Sequence, residues 1–116
     1  MNRIRIAAFA AALAAATAAS AFAATPTLKG VVGPGFTITL SQGAKKVKSL
    51  KPGTYKIVVA DKSNIHNFHL TGPGVNKKTS VAAKGTFTWT VKLKKGTYKF
   101  VCDPHKAIMK GSFRVT

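Results

Sequence analysis

The stretch TYKFVCDPHKAIMKGSFRV, residues 97–115, decides how this chain folds. Tyr98, Phe100 and Cys102 alternate with Thr97, Lys99 and Val101, the period-two pattern of a strand with one face toward a core. Asp103-Pro104-His105 then interrupts the pattern, and Lys110-Gly111 marks a turn before a second β-rich run, Ser112–Thr116. A strand, a loop and a returning strand are expected. The chain's single cysteine stands at the inward end of the first strand.

An echo of this unit lies 43 residues earlier. LKPGTYKIVVAD (50–61) matches LKKGTYKFVCD (93–103), so Tyr55, Ile57 and Val59 should share a buried face as Tyr98, Phe100 and Cys102 do. Further β-branched and aromatic runs occur at 36–40 (FTITL), 67–70 (NFHL) and 86–93 (TFTWTVKL), and Phe87, Trp89, Val91 and Leu93 should face the core. Turn signals separate them: Gly33-Pro34-Gly35, Lys51-Pro52-Gly53, Gly72-Pro73-Gly74, Lys84-Gly85 and Lys95-Gly96. No stretch beyond residue 24 has a sustained helical period. The expected fold is all-β, an antiparallel sandwich of about seven or eight strands, with any helix confined to a short turn.

Residues 1–23 carry Arg3 and Arg5, an uncharged alanine-rich run and Ala21-Phe22-Ala23, the layout of a secretory signal peptide. Cleavage there leaves one domain, 24–116, of 93 residues, with no later segment able to span a membrane as a helix. The expected destination is the periplasm, the cell envelope or the medium. With one cysteine no internal disulfide forms, so Cys102 is buried and inert, joined to another molecule, or bound to a ligand.

Charge narrows the function classes. Nineteen Lys and Arg face two acids, for a net charge of +17, or +15 after removal of residues 1–23. Such a field favours anionic partners: an acidic redox protein, or the acidic polymers of an envelope. Nucleic acid is not expected, because the lysines are dispersed without interleaved aromatic residues. Two aspartates, Asp61 and Asp103, leave little room for paired-carboxylate hydrolysis. No orienting group or oxyanion site accompanies Cys102 and His105, so a nucleophilic enzyme is not expected either.

Cys102, His105 and Met109 bring a thiolate, an imidazole and a thioether within eight residues. Two imidazoles and a thiolate in a trigonal set, with a distant thioether, form the blue-copper electron-transfer arrangement. A second histidine is then needed, and SNIHNFHL (63–70) offers His66 and His69. Strand parity places His66 with Phe68 and Leu70 on the apolar face and Asn67 with His69 on the other. His66 is therefore the expected ligand and His69 an exposed or half-buried surface residue. Asp103 is expected to be an exposed residue before a proline rather than an organiser of the loop.

Taken together, SNIHNFHL and GTYKFVCDPHKAIMKGSFRV resemble the cupredoxins, the small blue copper proteins of the plastocyanin, amicyanin and pseudoazurin kind. The resemblance extends over nearly all of residues 24–116. It implies an eight-stranded Greek-key sandwich holding one mononuclear type 1 copper and serving as an electron shuttle. By that resemblance His66, Cys102 and His105 would be equatorial ligands and Met109 the weak axial one. Asn67 would tie the two ligand loops together, Pro104 would stiffen the loop and limit hydrogen bonding near the sulfur, and Tyr98 would pin the turn before the cysteine strand. His105 would bring its edge to the surface among Ala107 and Ile108 as the electron port. The departure lies in Lys106-Ala107-Ile108, a spacer between His105 and Met109 shorter than in plastocyanins and longer than in amicyanins.

Rival readings keep parts of this. A copper carrier or storage protein would use the same ligands without redox turnover, though such proteins usually expose flexible Met and His clusters. A basic sandwich could adhere to envelope polymers with no redox role. Zinc suits Cys and His, but closed structural zinc sites commonly have more than one thiolate.

Overall fold

The computed structural model describes residues 24–116, and the segment read as a signal peptide, 1–23, lies outside the described residues. Ten strands run in chain order: β1 Thr27–Val32, β2 Ile38–Gln42, β3 Lys45–Lys46, β4 Ser49–Leu50, β5 Gly53–Asp61, β6 His69–Gly72, β7 Val75–Lys78, β8 Gly85–Leu93, β9 Gly96–Val101 and β10 Lys110–Val115. β3 and β4 are two-residue bridges, so eight strands have four residues or more, as the resemblance implied. The one helical segment among the described residues is a 3₁₀ turn, Asp103–His105.

Two five-stranded sheets face each other, ordered β3-β2-β1-β5-β8 and β4-β10-β9-β6-β7. Alternation works as the sequence indicates. Tyr55, Ile57 and Val59 on β5 point into the sandwich, as do Tyr98 and Phe100 on β9, followed by Cys102. Val91 and Leu93 on β8 are buried, while Phe87 and Trp89 pack against the core from its margin. Phe68 and Phe100 stack with ring centroids 5.5 Å apart, and Tyr98 stacks on Phe113 at 5.2 Å. These rings fill the space between the sheets beneath the cysteine.

The sandwich is not purely antiparallel. β1 lies parallel to β5, and β10 parallel to β4. Hairpin turns demand antiparallel neighbours, but β1 and β5 are separated by β2, β3 and β4, and that long return lets them run the same way. Residues 67–70 also differ from expectation. β6 begins only at His69, and His66, Asn67 and Phe68 lie in the preceding loop with all three side chains buried. Strand parity therefore misplaces Asn67, which points inward.

The echoed units share one device. Tyr55 Oη donates to the Lys51 carbonyl at 2.6 Å, and Tyr98 Oη donates to the Lys94 carbonyl at 2.9 Å while accepting the Lys94 N–H at 2.9 Å. Each tyrosine pins the turn four residues upstream. The role expected for Tyr98 is thus seen, and Tyr55 repeats it. Gly72 is required beside Tyr98, because a Cβ at that position would overlap the phenol ring.

Candidate metal centre

At one end of the sandwich the β9–β10 connection closes on itself. The Cys102 N–H donates to the Met109 carbonyl at 3.0 Å, extending the ladder one pair beyond Val101 and Lys110. His105 N–H donates to the Cys102 carbonyl at 3.0 Å, and Met109 N–H to the His105 carbonyl at 2.8 Å. Eight residues are thereby folded into a compact loop with Cys102 and Met109 opposite each other, both fully buried. Pro104 sits in the first turn of the 3₁₀ segment, where its fixed φ suits the geometry and its missing N–H leaves no donor unpaired.

The other contribution comes from the loop before β6. His66 is fully buried, and its Nδ1 lies 3.7 Å from Cys102 Sγ and 3.1 Å from His105 Nδ1. His105 Nδ1 lies 3.5 Å from the same sulfur. The point equidistant from these three atoms is about 2.0 Å from each, against roughly 2.0–2.3 Å for metal bonds to imidazole nitrogen and thiolate sulfur. Three soft, electron-pair-bearing atoms face one point. Among the described residues this His66–Cys102–His105 group is the cluster with metal-ligating geometry, and its donor chemistry fits a single copper ion. Met109 is held on the same side of the ladder as Cys102.

What fixes the two loops against each other is Asn67. Its backbone N–H donates to Cys102 Sγ at 3.4 Å, and its Nδ2 donates to the Thr79 carbonyl at 3.2 Å and to Asp103 Oδ2 at 2.7 Å. Its Oδ1 accepts the Asp103 N–H at 2.7 Å. Every polar position of the buried amide is used. Thr79 adds a clamp, its Oγ1 accepting the Phe68 N–H at 2.9 Å.

Asp103 is accordingly not the idle pre-proline residue expected from sequence. It is partly buried and receives Asn67 and also His69, whose Nδ1 stands 2.9 Å from Oδ1. Burial pushes the Asp103 carboxyl up. Hydrogen bonds from His69 and Asn67, with the charges of His69 and Lys106, outweigh that and hold it below its ordinary value. His69, expected as an exposed or half-buried surface residue, is half-buried and bridges Asp103 to Asn76 Oδ1, 2.7 Å from its Nε2. It is not a member of the His66–Cys102–His105 cluster.

Phe36 is a participant that sequence reasoning missed. Its ring meets His66 edge-on at 5.4 Å between centroids and His105 at 5.0 Å, yet it is 57% exposed. Together with Ile65 (49% exposed) and Ile108 (65%), it is one of three large apolar side chains left in solvent among the described residues. All three are close in sequence or space to His66 and His105. No local signal could have found Phe36, since it precedes His66 by 30 residues.

Comparison with known proteins agrees with this geometry. Residues 38–116 match the family described as copper binding proteins, plastocyanin/azurin family. Compared by sequence with curated proteins, the chain matches none. Among solved structures, reduced rusticyanin determined at 1.9 Å aligns with a TM-score of 0.55 and 24% identity, over 78% of each chain. Reduced rusticyanin determined by NMR gives 0.54 and 22%, over 78% of this chain and 76% of that one. Auracyanin A, a blue copper protein from the green thermophilic photosynthetic bacterium Chloroflexus aurantiacus, gives 0.49 and 17%, over 78% of this chain and 98% of that one. With a family match across most of the described sandwich and a largely buried His-Cys-His cluster at its end, this chain belongs to the copper-binding plastocyanin/azurin family, the cupredoxins.

Proposed function

We propose that the protein is an exported one-electron carrier in which His66, Cys102 and His105 are the equatorial ligands of a single copper and Met109 the weak axial one. The observation that carries this reading is the convergence of two Nδ1 atoms and Sγ, all within 3.7 Å of one another, in a pocket where His66 and Cys102 are wholly removed from water. Copper, when bound, supplies a reversible one-electron couple.

The residues of the chain do the rest. Cys102 is locked to Met109 by the ladder and to Asn67 by the N–H to sulfur bond, so the donor atoms have little freedom to rearrange. A stiff donor set keeps the reorganisation accompanying electron gain or loss small. The Asn67 N–H also withdraws charge from the sulfur, and Pro104 cannot donate a second such bond. Phe36 and the core rings keep water from the buried faces of the ligands.

Electrons would enter and leave through His105, the only half-buried member of the donor triad, with Phe36, Ala107 and Ile108 exposed around it. Lys106 borders the same edge and would steer an acidic redox partner toward it. Such a function needs no substrate-activating group, and we assign no enzymatic activity. Export to the periplasm or beyond rests on the N-terminal sequence pattern. Among the described residues no helix is long and apolar enough to cross a membrane.

The test is to load the protein with Cu(II) and record visible and EPR spectra. Intense blue colour with narrow copper hyperfine splitting is expected, with reversible voltammetry. A pale spectrum with ordinary Cu(II) splitting would overturn the assignment, and a blue protein with no reversible couple would leave a carrier or storage role instead.

A further inference from the structure

Away from the metal end, the outer face of the β3-β2-β1-β5-β8 sheet has a composition of its own. The residues turned outward are Lys46 on β3, Thr39 and Ser41 on β2, Thr27, Lys29 and Val31 on β1, Thr54, Lys56, Val58 and Ala60 on β5, and Thr86, Thr88, Thr90 and Lys92 on β8, as fixed by the burial of their neighbours. All four lysines are exposed. The chain's two acids are elsewhere, Asp61 turned inward at the end of β5 and Asp103 in the metal loop.

Register arranges the lysines. Lys46 stands opposite Ser41, which stands opposite Lys29. Lys56 pairs with Thr27, two residues from Lys29, and Lys92 pairs with Thr54, two residues from Lys56. The steps from Lys29 to Lys56 and from Lys56 to Lys92 each move one strand across and two residues along, in the same direction. Lys29, Lys56 and Lys92 form a straight diagonal with a spacing of roughly 8 Å, given about 4.8 Å between strands and 3.3 Å per residue. Beyond Lys92 the diagonal reaches a groove between β8 and β7 that is lined by Lys77, Lys94, Asn76 and Thr90.

We propose that this face is a docking surface for an extended polyuronate, a carboxylate-bearing polysaccharide, which would hold the carrier on an acidic envelope matrix. Charge complementarity supplies the first reason: a line of uncompensated cations crosses the sheet and ends in a cationic groove. Hydroxyls supply the second. Thr27, Thr54, Thr88 and Thr90 flank the lysines, and a hydroxyl both donates and accepts, which suits the hydroxyl groups of sugar rings as well as carboxylates. A folded protein partner is disfavoured because the face offers no large apolar anchor; the three exposed ones, Phe36, Ile65 and Ile108, are at the metal end. Single-stranded nucleic acid is disfavoured because Phe87 and Trp89 turn inward and leave no ring for a base to stack on. The copper loop stays free for a redox partner while the side of the sandwich is held.

The test is binding of the full copper-loaded protein to polygalacturonate, with polyphosphate, an oligodeoxythymidylate and neutral dextran as comparisons. One variant carries K29Q, K56Q and K92Q. A control of equal charge carries K99Q, K110Q and R114Q, on the outer face of the other sheet. The expected result is a loss of about tenfold or more in polygalacturonate affinity for the first variant and less than about twofold for the control, with a shallower salt dependence in the first alone. The blue spectrum should be the same in all three proteins, which separates this result from failure of the copper assignment. Equal weakening by both variants would overturn the proposal, as would tighter binding of the wild type to polyphosphate or oligodeoxythymidylate than to polygalacturonate.

Discussion

Asn67 and Asp103, 36 residues apart in sequence, hold each other through two hydrogen bonds of 2.7 Å, Asn67 Nδ2 donating to the carboxylate and the Asp103 N–H donating back to Asn67 Oδ1. His66 precedes Asn67 directly and Cys102 precedes Asp103 directly, both members of the candidate metal cluster. This reciprocal pair sets the separation between the two loops that carry the donor atoms. Replacing Asn67 with Ala strands the buried Thr79 carbonyl and the partly buried Asp103 N–H, and a loss of about 2–4 kcal/mol is expected. Urea unfolding of the metal-free protein measures it. Asp103→Asn, which keeps an acceptor for one partner, should lose less.

Asp61 responds to pH in a predictable direction. Its Oδ1 accepts the Ser63 N–H at 3.1 Å, but Oδ2 is buried without a partner. Burial raises the carboxyl above its ordinary value of 3.8, more than the Ser63 bond and the nearby His66 lower it. The native state then binds this proton more tightly than the unfolded chain. The resulting stability is fully present below the unfolded carboxylate value and is lost as pH rises through the folded one. Asp61→Asn should remove that decline. Unfolding free energies of the metal-free wild type and variant, taken from pH 4 upward, should diverge with the variant the more stable at pH 7; parallel curves would show that Asp61 ionises without cost.

Gly72 has no room for a side chain. A Cβ there would overlap the Tyr98 ring, which is fully buried, stacked on Phe113 and bonded at its hydroxyl to Lys94. Gly72→Ala must displace the ring or the strand, at a cost of about 1–3 kcal/mol. Thermal unfolding of the metal-free protein should show a midpoint lower by roughly 5–20 °C for a domain of this size.

Phe36 contributes to the metal site more than to the fold. Its ring lies against both ligand histidines but is more than half in solvent, so Phe36→Ala should change unfolding free energy by less than about 1 kcal/mol. Water then gains access to the ligand rings, and better solvation favours the more highly charged oxidised state. The reduction potential should fall, as read by voltammetry of the copper-loaded protein. An unchanged potential would show that Phe36 does not control solvent at the site.

Much of this architecture is legible in residue order because its causes are local. Period-two alternation put Tyr55, Ile57, Val59, Tyr98, Phe100 and Cys102 on inward faces, and their burial follows from nothing more than the pleat. Donor chemistry marked Cys102, His105 and Met109, and the apolar neighbours of His66 singled it out over His69. Other features depend on segments distant in sequence. The parallel pairing of β1 with β5, the Phe36 ring over two histidines, the Asn67–Asp103–His69 chain and the lysine diagonal on the outer sheet each join residues that no repeat or spacing connects. Parity failed at Asn67 because that residue is in a loop, where side-chain direction is set by hydrogen-bonding partners rather than by the pleat. Residue order thus determined which side chains make up the candidate metal cluster and which faces are buried. Tertiary structure alone decided how the ligand loops are braced and where the cations align, since both depend on strand register and loop closure across the sandwich.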